Sequence, residues 1–349
     1  MRPRPLPLVI LAPLIAVAAL SAVPSFAADS ASVFMYHRFG ESDYAATNIR
    51  IDQFEAHLAE IATGEYHVAP LPDIIAAFES GSPLPERTIA LTIDDAFLSV
   101  YTEAWPRLKA AGVPFTLFVA TDPVDAGQDD YMNWDQIREL AGGGVTIGSQ
   151  TASHPHMPEL SPSRNIAELE ESNLRFSQEL GAPPALFAYP FGEYGLAVRK
   201  AVVEAGFAAA FGQHSGVAYP GHDRFALPRF AMNETYGSPV RFKLAATALP
   251  LPVSEITPAD TLIDENPPQF GFTVDAGVGG LDKLACYPRH ENDPAQIERL
   301  GERRFEVRMR LPFPQRRGRV NCTVPTSDGR WRWFGMQFVV PEGVSPDDP

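Results

Sequence analysis

Cysteine is nearly missing from this chain, with two residues in 349, Cys286 and Cys322. No histidine or third cysteine stands at ligand-like spacing around them, which speaks against a thiolate metal site. Positive charge is scarce as well: 28 Lys and Arg face 43 Asp and Glu, for a formal net charge of −15. With no basic stripe along the chain, sequence-independent binding to a nucleic-acid backbone is excluded. A neutral or cationic polymer is the more comfortable partner for such a charge balance. No apolar run beyond the N-terminus is long enough to span a membrane. No internal repeat stands out along the chain.

What is present begins with a leader. Arg2 and Arg4 give a positive start, Leu8 to Ala19 is almost wholly apolar, and Ser25-Phe26-Ala27 puts small residues where a signal peptidase cuts. Residues 1–27 are therefore expected to be a cleaved signal peptide, with Ala28 as the mature N-terminus and an exported, periplasmic or secreted product. The short apolar core, broken by Pro13, favours cleavage over a retained anchor. In an exported protein a lone cysteine pair is most simply one disulfide, here stapling only the last quarter of the chain.

Hydrophobic content is 45%, ordinary for a globular protein. Strand-like and helix-like runs alternate through residues 31–230. That alternation predicts a parallel α/β fold, and about seven units favour a barrel over an open sheet. Residues 249–268 are rich in proline and acids and read as a linker. Short alternating runs follow from 269 to 349: Phe270 to Val274, Leu281 to Tyr287, Phe305 to Leu311, Val320 to Val324 and Trp331 to Val340. They predict a small antiparallel β-sandwich. Trp331 and Trp333 suit either sugar stacking or one face of its core.

The chemistry centres on Leu91-Thr92-Ile93-Asp94-Asp95. Two carboxylates arrive together where a buried apolar strand stops. Neighbouring strand residues point to opposite faces, so one acid can hold a metal while the other does something else. Further polar motifs follow other strands: His37 after the first, Gln150-Thr151-Ala152-Ser153-His154 after another, Tyr189-Pro190-Phe191-Gly192 after a third, and His214 after a fourth. Strand ends of a barrel converge on one face and can share a pocket. An Asp with one or two histidines suits a zinc-like divalent metal with an open position.

Across residues 31–230 this set resembles the polysaccharide deacetylases, the NodB-type domain of carbohydrate esterase family 4. The pair Tyr36-His37 and the later Gln53-Phe54 look like the branch acting on surface polysaccharides such as poly-N-acetylglucosamine. The resemblance implies a distorted (β/α)-barrel over residues 31–248 and a metal-dependent hydrolase that removes acetyl groups from an N-acetylated polysaccharide or oligosaccharide. The family's Thr-Phe-Asp-Asp motif stands here as Thr92-Ile93-Asp94-Asp95, which implies Asp94 as general base and Asp95 as metal ligand. Its His-Thr-x-x-His motif stands as Gln150-Thr151-Ala152-Ser153-His154. His154 is then a ligand, and Gln150 replaces the first histidine with a weaker amide oxygen. A water or another histidine completes the site, the metal binds weakly, or the domain is inactive. The family's Arg-x-Pro-Tyr motif stands as Ala188-Tyr189-Pro190-Phe191. The Phe191 N–H remains available to an oxyanion, and Arg229 stands in for the missing arginine that orients the base. The general acid is assigned to His214 by chain position. Two other readings compete: a non-catalytic carbohydrate-binding homologue, and a related amidase acting on a non-sugar substrate.

Overall fold

The computed structural model describes residues 29–344. The expected leader, residues 1–27, lies outside them. Among the described residues no helix is long and apolar enough to cross a membrane.

Seven parallel strands form one curled row. In spatial order they are Phe230–Ala231, Ala31–Tyr36, Thr88–Ile93, Phe115–Val119, Thr146–Ser149, Leu186–Ala188 and Ala209–Phe211, with the short His67–Val68 also on Thr88–Ile93. The two ends of the row approach each other through Leu227, whose N–H donates to Ala210 O at 3.0 Å and whose carbonyl accepts from Gly212 at 2.9 Å. This is the distorted (β/α)-barrel that the alternation predicts.

Strand Thr88–Ile93 is buried at all six positions, as a strand covered on both faces must be. Ile89, Leu91 and Ile93 pack with Phe54, Val100, Leu108 and Ile137 of the surrounding helices. The opposite face is small: Ala90 joins Ala31, Val33, Ala188 and Ala209 inside the curl. Side chains alternate along a strand, so Thr92 and Asp94 continue the inner face beyond Ala90. The first long helix is Ile51–Thr63. Arg50 is its N-cap, and Gln53 closes the turn by accepting from the Arg50 N–H at 3.2 Å.

After the barrel, two four-stranded sheets make the expected sandwich. One contains Leu249–Pro250, Trp331–Val340, Arg316–Pro325 and Ala285–Pro288; the other Val253–Thr257, Phe270–Val274, Arg304–Arg308 and Gln296–Leu300. The stretch 249–268 is therefore only partly a linker, because it supplies one strand to each sheet. Its prolines fall at strand ends, where no ladder N–H is required, and composition alone hides such short edge strands. Phe270, Phe272, Phe305, Phe334 and Phe338 fill the space between the sheets. Cys286 and Cys322 face each other across paired strands and are joined. Closing a loop of this separation, 36 residues, stabilises a fold by about 4 kcal/mol.

Strand Trp331–Val340 is buried on both faces over most of its length. Phe334, Met336 and Phe338 point into the sandwich core. The alternate positions meet the barrel: Trp333 packs edge-on against Phe230 with ring centroids 5.3 Å apart, and Gln337 reaches the Phe191 carbonyl. Gly335 lies so close to the barrel that a Cβ there would stand 2.1 Å from Ser215 O. Glycine is the residue that lets the two layers touch at this point.

Candidate active site

Asp94 and Asp95 leave the strand in different directions. Asp94 continues the inner face and is fully buried, as is Arg229. The guanidinium grips both carboxylate oxygens, Nη1 to Oδ1 at 2.6 Å and Nη2 to Oδ2 at 2.8 Å. Arg229 also donates from Nη1 to Thr92 Oγ1 and from Nε to Gly212 O, each at 3.0 Å. Two parallel bonds fix a carboxylate's plane as well as its position. His37, at the end of the first strand, brings Nε2 to 3.8 Å from Asp94 Oδ2.

Asp95 is turned outward by a left-handed backbone, φ 73°, and Ala96 follows at 56°. Eight non-glycine residues among those described have positive φ, and five surround the acid pair: Asp95, Ala96, Thr151, His154 and Phe191. Such conformations cost roughly 1–3 kcal/mol each and persist where the surroundings over-determine them. The loop after strand Thr146–Ser149 shows how. Thr151 Oγ1 accepts from the His154 N–H at 3.1 Å. Glu168, buried on the helix Pro162–Leu180, accepts from both the N–H and the hydroxyl of Ser153 at 2.8 Å. His154 is thereby held with Nε2 at 3.3 Å from Asp95 Oδ1. Burial pushes the Asp95 carboxyl up, but the His154 imidazole, aided by His37 and Gln150, outweighs it and holds it at about 2. Burial pulls His154 down, and Asp95 more than reverses this, leaving it raised.

The donor set can be compared with a divalent cation. Asp95 Oδ1 is buried and has no hydrogen-bond partner. Two donors on one tetrahedral ion, with bonds of about 2.0–2.1 Å, stand roughly 3.4 Å apart. The Asp95–His154 pair matches that spacing, so the two side chains fit an ion lying between them. Gln150 takes part differently. Fully buried, it accepts through Oε1 from the Asp95 N–H at 2.9 Å, and its Nε2 has no partner. Amide nitrogen is a donor and no ligand. Gln150 can enter a metal shell only through the oxygen that already steadies Asp95. Among the described residues no three His, Cys, Asp or Glu side chains are grouped to hold one metal.

Phe191, reached through Tyr189 and Pro190, forms the third wall. Tyr189 is core: its hydroxyl donates to Phe225 O at 2.9 Å and its ring stacks on Tyr194. Pro190 opens a single 3-10 turn, Pro190–Gly192, in which Phe191 is left-handed. The Phe191 N–H precedes the first bond of that turn, Gly192 N–H to Tyr189 O at 2.8 Å, and is one of the groups a helical start leaves unsatisfied. The Phe191 ring stacks on His156 at 4.1 Å and meets His154 edge-on at 4.6 Å. Its carbonyl accepts from Gln337 Nε2 at 3.0 Å and Arg317 Nη1 at 3.3 Å, both from the sandwich. Glu193, buried behind the turn, joins His156 Nδ1 at 2.6 Å and Arg317 Nε at 3.3 Å.

The structure brings together His37, Asp94, Asp95, Gln150, His154, Phe191 and Arg229. It places His214 elsewhere. That ring lines a 280 Å³ cleft with His222, Tyr194 and Met336, on the seam between barrel and sandwich, and burial takes its pKa down to about 3. Chain position suggests His214 because it follows a barrel strand, but the cleft it lines includes neither acid. Sequence reasoning missed Glu168, Glu193, Arg317 and Gln337. Only Glu168 carries a signal: Asn165, Glu168 and Ser172 are polar residues at helical spacing beside the buried Leu169 and Phe176.

The profile of the polysaccharide deacetylase family matches residues 81–210. A Bacillus subtilis (strain 168) protein named as a polysaccharide deacetylase, YxkH, is 23% identical over 197 residues, which are 56% of this chain and 69% of that protein. A Staphylococcus aureus (strain MSSA476) protein named poly-beta-1,6-N-acetyl-D-glucosamine N-deacetylase is 20% identical over 215 residues, 58% of this chain and 73% of its own. The solved structure of the Streptococcus pyogenes deacetylase PplD in complex with acetate matches with a TM-score of 0.58 at 20% identity, covering 62% of this chain and 98% of that one. At this identity the structural likeness speaks for the fold. The chain is thus similar to the polysaccharide deacetylases in sequence over residues 81–210, and the curled barrel built around that stretch has the fold of the solved deacetylase structure.

Proposed function

We propose that the chain is an exported polysaccharide N-deacetylase that hydrolyses acetamido groups of an N-acetylglucosamine-type polymer. The observation that carries this reading is the buried Asp94–Arg229 pair set directly beside the Asp95–His154 pair at the strand ends. A carboxylate has about four lone-pair directions. With Arg229 taking one on each oxygen, Asp94 keeps capacity to accept the proton of an attacking water. Arg229 holds that carboxylate in one plane throughout. His37, 3.8 Å from Asp94, gives a proton to the leaving amine in this reading, in place of His214. The Phe191 N–H faces the developing oxyanion, and preorganised donors of this kind contribute about 2.7–4 kcal/mol each. A divalent ion held by Asp95 and His154 would polarise the acetyl carbonyl and lower the pKa of a bound water to about 7.

A second reading is favoured by one observation. Gln150 replaces an imidazole, and its oxygen is engaged by the Asp95 N–H, so the chain can also be an impaired or non-catalytic glycan-binding relative. The variant Gln150→His separates the two. Imidazole outranks an amide oxygen for zinc-like metals, and zinc affinity measured by competition with a chelating dye is expected to rise at least about tenfold. Acetate release from N-acetylglucosamine oligomers is measured beside it. A wild-type rate already close to that of the variant supports a competent enzyme. A wild type without turnover, rescued by histidine, supports the impaired reading. Unchanged affinity and rate would restrict position 150 to steadying Asp95.

A further inference from the structure

The seam between barrel and sandwich holds a second constellation beside the reaction site. On strand Arg316–Pro325, Gly318, Val320 and Cys322 face the sandwich interior, and the alternate residues Arg319, Asn321 and Thr323 face a cleft of 460 Å³. Tyr236 and Arg241 line it from the barrel, and Arg289, Trp331 and Trp333 from the sandwich. A neighbouring cavity of 340 Å³ shares Arg289 and Arg319 and adds Arg317, so the two make one groove with four arginines. A chain of hydrogen bonds links the groove to Phe191 in the wall of the candidate site. Arg319 Nε donates to Gln337 Oε1 at 2.7 Å, and Gln337 Nε2 donates to the Phe191 carbonyl at 3.0 Å.

These arginines are short of counter-charge. Among the described residues, no carboxylate forms an ion pair with Arg241, Arg289 or Arg319; Arg317 alone has one, with Glu193. Glu291 also lines the groove, but Arg310 and the backbone N–H groups of Arg310 and Leu311 occupy its oxygens. Arg241 lies over the Tyr236 and Trp333 rings at 5.4 and 5.3 Å, and its Nε is buried without a partner. Burial, with the repulsion of Arg317 and Arg289, brings Arg319 down to about 10. The chain as a whole is acidic, which favours neutral or cationic partners at long range. At 0.15 M salt, however, exposed charges are screened over about 8 Å, and inside the groove the nearest charges are guanidinium groups. Planar guanidinium matches carboxylate and phosphate, and flanking aromatic rings give a sugar face something to lie on.

We infer that the groove binds an acidic glycan, so that the substrate is an N-acetylated polysaccharide carrying anionic groups on sugars neighbouring the one deacetylated. The inference rests on the deacetylase reading above and names its substrate class.

The test uses the full chain, held with a chelator so that nothing is hydrolysed, and titration calorimetry with two probes of equal length. One alternates N-acetylglucosamine with glucuronate; the other contains N-acetylglucosamine alone. The acidic oligomer is expected to bind at least about tenfold more tightly at low salt, with the preference lost at high salt. Arg241→Gln with Arg289→Gln should remove the preference, so that the two oligomers bind alike, while Arg289→Lys should keep much of it. Equal binding of the two oligomers, or a preference untouched in the double variant, would overturn the inference. Should the double variant fail to fold, Arg289→Gln alone must lower the preference. Acetate release by metal-loaded wild type is scored separately. Binding preference without acetate from either oligomer would defeat the deacetylase reading and leave the groove's chemistry standing.

Discussion

Replacing Asp94 with asparagine should bring acetate release to background and weaken the barrel at the same time. The loss of a positioned base costs about 10²–10⁴ in rate. The same change leaves Arg229, with no exposed surface, facing a neutral amide. Breaking one side of a buried pair destabilises by about 3–5 kcal/mol. Zinc content should be unchanged, because Asp94 is not among the donors that fit the ion. Asp94→Asn combined with Arg229→Met should recover part of the stability and none of the turnover. Rates, zinc content and urea unfolding check the three statements independently. Full turnover in the asparagine variant would remove Asp94 from the chemistry.

Acid should unfold this protein early. Burial holds His57 at about 4, His214 at about 3 and His222 at about 4, against about 6.5 in an unfolded chain. His57 shows the arrangement: Nε2 donates to Gly237 O at 2.8 Å, so Nδ1 is the bare acceptor for the Tyr36 hydroxyl at 3.0 Å, and no place is left for a second proton. Below pH 6.5 the unfolded chain binds protons that the folded chain refuses, so stability falls with pH. Each histidine contributes a slope of about 1.4 kcal/mol per pH unit, and the three together lose roughly 4 kcal/mol between pH 6 and 5. Two other shifts leave this window open. His154 is raised, so its contribution is complete below its unfolded value. Asp95, at about 2, gives up its contribution only below the unfolded carboxylate range. Urea midpoints from pH 7.5 to 4.5 measure the slope, and a flat profile would contradict the buried neutral state of these rings.

What the sequence disclosed and what it hid divide by distance along the chain. Asp94-Asp95 and the loop ending in His154 are readable because each is a short segment placed by its own strand. The seven-strand barrel is readable because burial on two faces leaves uninterrupted apolar runs. Gln150 could be flagged as unusual at its position, but its bond to the Asp95 N–H depends on two loops meeting in space. His214 was misleading for the same reason: a residue just past a strand can face the pocket or the outer layer, and one peptide's rotation decides. The partners of the Phe191 carbonyl lie 126 and 146 residues further on, in a part that reads only as sandwich. The strands hidden in 249–268 were masked by prolines that edge positions tolerate.

The grip of Arg317 and Gln337 on the Phe191 carbonyl bears on what counts as the catalytic unit. A barrel of this kind is easily pictured as a transferable cassette, complete in itself, with the sandwich as an accessory. Here the left-handed turn that carries Phe191 is clamped from outside the barrel, so on the proposed reading the cassette ends in the wrong place if it is cut at residue 248. A chain shortened there should retain the Asp95–His154 donors and zinc binding while losing turnover, because the turn is free to relax to an ordinary right-handed conformation. Zinc titration and acetate release on the shortened chain would show whether the two functions part in this way; full activity would return the cassette picture. In that sense the sandwich is the far jaw of a vice whose near jaw is the barrel.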